Sequence, residues 1–101
     1  MLYDTSVLID YLRRGDIKNV RCGSISIVTL IEILRGIQNA KKREKIKEIL
    51  ERIFYVYPID NSVVIEYCEL YNRLRQCGRP LSDNDLIVAA TAKAHGEKLV
   101  T

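Results

Sequence analysis

One histidine, one phenylalanine, two prolines and five glycines in 101 residues leave little room for several familiar chemistries. With His95 alone, and at a helix end before Gly96, no Ser-His-Asp or Cys-His arrangement can be assembled. The glycines do not form a phosphate-cradling loop: Gly23 and Gly36 stand apart and lack the required spacing. Cys22, Cys68 and Cys77 are odd in number and lack metal-ligand spacing, so free thiols in a reducing, cytoplasmic setting are expected. The net charge of +3 is too mild to mark a nucleic-acid binder by itself. No apolar run approaches the ~20 residues needed to span a bilayer. The opening run meets an acid at its fourth residue, so no signal peptide is expected.

What is present is an ordinary globular composition, 48% hydrophobic and 29% charged, sized for one domain over residues 1–101. There is no internal repeat, linker or low-complexity segment. Leu2-Tyr3 reads as a buried first strand. Residues 5 to 13 carry Val7, Leu8, Tyr11 and Leu12 at helical spacing, and Arg13-Arg14-Gly15 stops the helix. Ser24 to Val28 is β-branched and bounded by Gly23, a second strand. Thr29 opens a helix with Ile31, Leu34 and Ile37 on its apolar face. Residues 41 to 52 form a charged surface helix striped by Ile46, Ile49, Leu50 and Ile53. Phe54 to Tyr57 is a third strand closed by Pro58. A long helix runs from about Asn61 to Cys77, another covers residues 83 to 95, and Lys98 to Thr101 begins a last strand. The order βαβααβααβ predicts an α/β fold with a central parallel sheet and helices on both faces.

In such a sheet the C-terminal strand ends share one edge, where ligands bind. Asp4, Glu32 and Asp85 each fall at a strand-to-helix junction and are expected to meet there. Clustered carboxylates repel one another unless a cation joins them, and hard oxygen donors suit Mg²⁺ or Mn²⁺. Asp83 places a second acid in the same helical turn as Asp85. Thr5 and Ser6 add hydroxyls beside Asp4 that can orient it.

Each acid also has a structural role to weigh. Thr29-x-x-Glu32 fits a capping box, Ser82-x-x-Asp85 has the same spacing, and Asp4 suits an N-cap. Asp60 is expected to cap the helix that follows Pro58. Asp10, two turns down the first helix, is expected to be solvated or ion-paired. His95 is expected at a helix C-terminus near free carbonyls. The Lys41-Lys42-Arg43 run reads as a solvated face, and Tyr55, Tyr57, Tyr67 and Tyr71 as core or near-core residues.

The segments Asp4-Thr5-Ser6-Val7-Leu8-Ile9-Asp10, Glu32-Ile33-Leu34-Arg35-Gly36, Asp83-Asn84-Asp85-Leu86-Ile87-Val88-Ala89-Ala90-Thr91-Ala92 and His95-Gly96-Glu97-Lys98-Leu99-Val100-Thr101 together resemble the PIN-domain family, and within it the VapC-like toxins of toxin–antitoxin pairs. The resemblance spans essentially the whole chain. It implies an α/β/α sandwich and a Mg²⁺- or Mn²⁺-dependent endoribonuclease leaving a 3′-hydroxyl and a 5′-phosphate. Asp4, Glu32 and Asp85 match the family's metal-binding acids, with Asp83 as a neighbouring acid that assists. A homodimer and a cognate antitoxin, whose tail occupies the acidic cleft, are also implied. The family places a fourth acid a few residues beyond the Leu-Val-Thr strand end, and this sequence stops at Thr101 without it. Two expectations stand side by side: the protein continues past Thr101, or it is a shortened member with a depleted metal site. An alternative function follows from the second, a catalytically impaired module that works by protein binding. A phospho-acceptor receiver domain fits less well, since strand one ends in a single acid and strand three in Tyr57-Pro58.

Overall fold

The computed structural model describes residues 1–20 and 22–101. Four strands, β1 (Leu2–Tyr3), β2 (Gly23–Ser26), β3 (Phe54–Tyr57) and β4 (Leu99–Val100), form one sheet in the order β3-β2-β1-β4. Every pairing is parallel, with Leu2 opposite both Ser24 and Leu99, Tyr3 opposite Val100, and Ser26 opposite Tyr57. The connecting helices are α1 (Thr5–Arg13), α2 (Ile27–Arg35), α3 (Ala40–Ile53), α4 (Asn61–Gln76) and α5 (Asp83–Ala94), with a short 3-10 turn at Ile17–Asn19.

Side chains alternate across a strand, so consecutive residues reach opposite faces of the sheet. Tyr3, Ile25 and Phe54 enter one core with Leu8, Leu30, Ile33 and Leu50 from the first three helices. Leu2 enters a second, smaller core with Val88 and Ala92 of α5, flanked by Tyr57 and Leu99. Two cores on opposite faces of one sheet make the three-layer α/β/α sandwich expected from the element order. The close approach of β2 to β1 depends on Gly23. A Cβ there would stand 2.6 Å from the Met1 carbonyl oxygen and 2.8 Å from Tyr3 Cε2.

The structure corrects the sequence at α2. The helix starts at Ile27, and its cap is Ser26, whose Oγ accepts from the Val28 N–H at 3.1 Å. Strand β2 therefore ends at Ser26 rather than Val28, and Thr29 falls inside the first turn, so Thr29-x-x-Glu32 is no capping box. The apolar face shifts as well: Val28, Leu30 and Ile33 are buried, Ile31 is 54% exposed, and Ile37 lies past the helix end. The other caps agree with expectation. Asp60 Oδ1 accepts from the Val63 N–H at 3.0 Å, and Arg14 pairs with Asp10 at 3.0 Å.

Two further side-chain expectations fail. Tyr55 is 62% exposed and Tyr71 42% exposed, so neither belongs to a core. His95 does end α5, but its ring leaves the free carbonyls for a stack on Tyr57, with centroids 4.2 Å apart, and its Nε2 lies 3.1 Å from Asp60 Oδ2. Cys22, Cys68 and Cys77 are free thiols. Among the described residues, no helix is long and apolar enough to cross a membrane.

Candidate active site

Strand order reverses where β4 adds to the far side of β1, and the crevice at such a switch point is where open α/β sheets bind ligands. A cavity of about 430 Å³ opens there, bounded by Asp4, Ser6, Leu81, Asp85, Ala89, Leu99 and Thr101. Asp4 arrives at the end of β1, held to β4 by its backbone N–H donating to the Val100 carbonyl at 2.9 Å. Its side chain is fixed twice, since Oδ1 accepts from the Thr5 N–H at 2.7 Å and Oδ2 from the Ser6 hydroxyl at 3.3 Å. Capping and cavity-lining thus coexist in one residue. Asp85 comes from the first turn of α5, where its N–H donates to the cap Ser82 Oγ at 3.3 Å.

Glu32 lies to one side, in the second turn of α2. Its Oε1 is 2.9 Å from Thr5 Oγ1, which is itself 2.9 Å from Thr29 Oγ1. A carboxylate can only accept, and each hydroxyl has one proton. The chain of donors therefore runs from Thr29 to Thr5 to Glu32. Glu32 Oε2 accepts from Asn84 Nδ2 at 3.4 Å and stands 3.8 Å from the exposed Arg35 guanidinium. Thr5 follows Asp4 and Asn84 precedes Asp85, so Glu32 is joined to both other acids through their chain neighbours. It borders a separate cavity of about 430 Å³ between α1, α2 and α3, together with Arg13 and Lys42.

Sequence-expected residues are thus partly gathered. Asp4 and Asp85 share a cavity, with Glu32 at its flank. Asp83 faces elsewhere, accepting from the Tyr67 hydroxyl at 2.6 Å, and that bond raises the Tyr67 pKa. Thr5 and Ser6 both touch the acids, as anticipated from their position. Thr29 and Asn84 join them, and the sequence alone does not mark either for this role. The only signal for Asn84 was its place between two acids in a helical first turn.

Among the described residues, no three His, Cys, Asp or Glu side chains stand close enough to form a ready metal cage. The donor set nonetheless fits a hard divalent cation. Mg²⁺ characteristically takes one or two carboxylates and keeps several waters, and Asp4 and Asp85 are the two carboxylates that line this cavity.

The PIN domain family model matches residues 1–101. The chain belongs to the PIN domain family. Among its relatives, Ribonuclease VapC1 of Methanocaldococcus jannaschii is 36% identical over 92 residues, covering 91% of this chain and 67% of that protein. Ribonuclease VapC1 of Rickettsia felis is 30% identical, covering 100% of this chain and 83% of that protein. In fold, this PIN domain superposes on VapBC2 from Rickettsia felis bound to a promoter DNA fragment, with a TM-score of 0.84 at 22% identity, covering 100% of this chain and 86% of that one. FitAcB from Neisseria gonorrhoeae gives a TM-score of 0.78 at 25% identity, covering 99% and 85%.

Proposed function

We propose that this PIN domain is a Mg²⁺- or Mn²⁺-dependent endoribonuclease, the toxin of a toxin–antitoxin pair, with Asp4, Glu32 and Asp85 as its working acids. The observation that carries the proposal is the sharing of one switch-point cavity by Asp4 and Asp85, with Glu32 tied to both flanks. Relatives named Ribonuclease VapC1 support the reaction class, and neighbours solved as VapBC complexes support an antitoxin partner.

Asp4 and Asp85 would hold the cation, with Glu32 completing the acidic wall. When bound, the cation lowers the pKa of a coordinated water and offsets charge on the phosphodiester. The protein's own part is to fix the carboxylates. Thr5 N–H and Ser6 Oγ set the plane of Asp4, so its rotamer is chosen before any ligand arrives. Thr5 Oγ1 and Asn84 Nδ2 grip the two oxygens of Glu32, which stops the longer side chain from swinging into solvent. Such supporting hydrogen bonds typically govern metal affinity by tenfold or more, at about 10–100-fold per partner lost. An antitoxin side chain bearing a guanidinium or ammonium would neutralise the same wall.

Calorimetric titration with Mn²⁺, on the wild-type chain and Asp4→Asn, tests the proposal beside a cleavage assay on single-stranded RNA. Binding that the substitution abolishes, with Mn²⁺-dependent cleavage, is the expected result. No Mn²⁺ uptake and no cleavage would transfer the chain to the second reading, a module acting by protein binding.

A further inference from the structure

We propose that the slot between the C-terminal end of α4 and the start of α5 seats a nucleobase of the RNA strand lying across the acidic cavity, with Tyr71 as its stacking face. The proposal rests on the nuclease reading above and deepens it. A cavity of about 230 Å³ lies there, bounded by Tyr71, Leu74, Arg75, Pro80, Leu81 and Leu86. Leu81 also lines the cavity that holds Asp4 and Asp85, so the two spaces adjoin. Tyr71 in turn borders a third space, of about 420 Å³, with Tyr67, Asn72 and Asp83. Leu81 and Tyr71 are thus the shared walls that set the acids, the slot and the tyrosine pair side by side.

The chemistry of the slot selects its occupant. Tyr67 and Tyr71 lie nearly parallel, 19° between planes and 6.1 Å between centroids, and Tyr71 is half exposed on the side of the slot. Arg75 Nη1 sits 3.4 Å from the Tyr71 hydroxyl. The rest of the lining is apolar: the buried Leu86 with Leu74, Pro80 and the exposed Leu81. From Leu70 to Ser82 the chain carries Arg73, Arg75 and Arg79, all exposed, and no acid. A planar apolar ring joined to a phosphate matches such a lining, and unstacked RNA bases are recognised by aromatic faces and guanidinium groups of this kind. A space of this size takes one heterocycle rather than a helix. Asn72 and Asp83 line the space on the other side of Tyr71, where Asp83 accepts from the Tyr67 hydroxyl.

The test is fluorescence anisotropy with a short fluorescein-labelled single-stranded RNA of randomised sequence, in EDTA so that nothing is cut. Tyr71→Phe should bind as wild type does, whereas Tyr71→Leu should bind about tenfold more weakly, in line with loss of one aromatic stacking partner. Arg75→Gln should flatten the salt dependence by about one phosphate contact. Light scattering on each variant guards against an altered assembly. Wild-type affinity in Tyr71→Leu overturns the proposal. So does a loss of binding seen only together with a changed oligomeric state, which would give the slot to a protein contact. If the wild-type chain neither binds nor, with Mn²⁺, cleaves RNA, the nuclease reading itself falls, a result distinct from RNA binding that ignores Tyr71.

Discussion

Thr5 and Glu32, 27 positions apart, are joined by a hydroxyl–carboxylate hydrogen bond of 2.9 Å that links the first residue of α1 to the second turn of α2. Thr29, fully buried, feeds the same hydroxyl. The residue after one acid thus decides where a second acid stands. Both contacts are intolerant of partial removal, because a buried hydroxyl left without a partner costs about 1–3 kcal/mol.

Thr5→Val should therefore both untie Glu32 and orphan Thr29. We expect RNA cleavage to fall about 10–100-fold, as when a supporting partner of a metal ligand is lost, and the melting temperature to drop by several degrees. The double variant Thr5→Val/Thr29→Val should recover most of the stability, since both polar groups are then gone, but none of the activity. Thermal melts and cleavage assays on the three proteins check this. Equal activity in Thr5→Val would mean that Glu32 needs no such support.

Asp4 and Asp85 bring like charge to one cavity, and among the described residues neither forms an ion pair. Asp85→Asn should abolish Mn²⁺ uptake in calorimetry while leaving the metal-free fold as stable as wild type or slightly more so, because one side of a repulsive pair is removed. In the wild-type chain, EDTA should stop RNA cleavage and added Mn²⁺ should restore it. A clear fall in the melting temperature of metal-free Asp85→Asn would point instead to a structural role for this carboxylate.

The first strand, the long α4 and the caps at Asp4, Asp60 and Ser82 were legible because each is set by local chemistry: an apolar run meeting an acid, or a short polar side chain before a helical stripe. The phase of α2 was not. Ile27, Val28, Leu30, Ile31, Ile33 and Leu34 crowd the segment with apolar residues, so periodicity cannot choose between the face of Ile31 and that of Ile33. Tertiary packing against α1 and the sheet made the choice. The site shows the same division. That Asp4 and Asp85 would share a strand-edge cavity followed from topology, but which way Asp83 turned depended on Tyr67, sixteen residues earlier on another helix. Spacing in a sequence does not record such pairings.

Gly23 lets β2 lie close against β1 and the ring of Tyr3. Gly23→Ala would set a methyl 2.6 Å from the Met1 carbonyl oxygen, a backbone atom that cannot rotate away. Overpacking of this kind costs about 1–3 kcal/mol, which for a domain of this size is a fall of roughly 4–8 °C in melting temperature for each kcal/mol. Because β1 carries Asp4, Mn²⁺ affinity should weaken along with stability. Melts and calorimetry on this single variant check both, and an unchanged melting temperature would show that β1 shifts freely.

Glu97 gives the fold a dependence on acid. Its carboxylate accepts from the Met1 ammonium at 2.7 Å and from the Ser24 hydroxyl, and those bonds hold its pKa below the ordinary 4.5. A carboxyl whose folded pKa is depressed binds fewer protons in the native state than in the unfolded one. Its contribution is complete above the unfolded value and is lost as pH falls through the folded one. The Glu97→Gln variant should therefore melt below wild type at neutral pH, and the gap should narrow as pH drops beneath about 4.5. Melting curves from pH 7 to pH 3 measure the gap directly. A difference that stays constant across that range would show that Glu97 acts through packing between β4 and the start of β1, not through its charge.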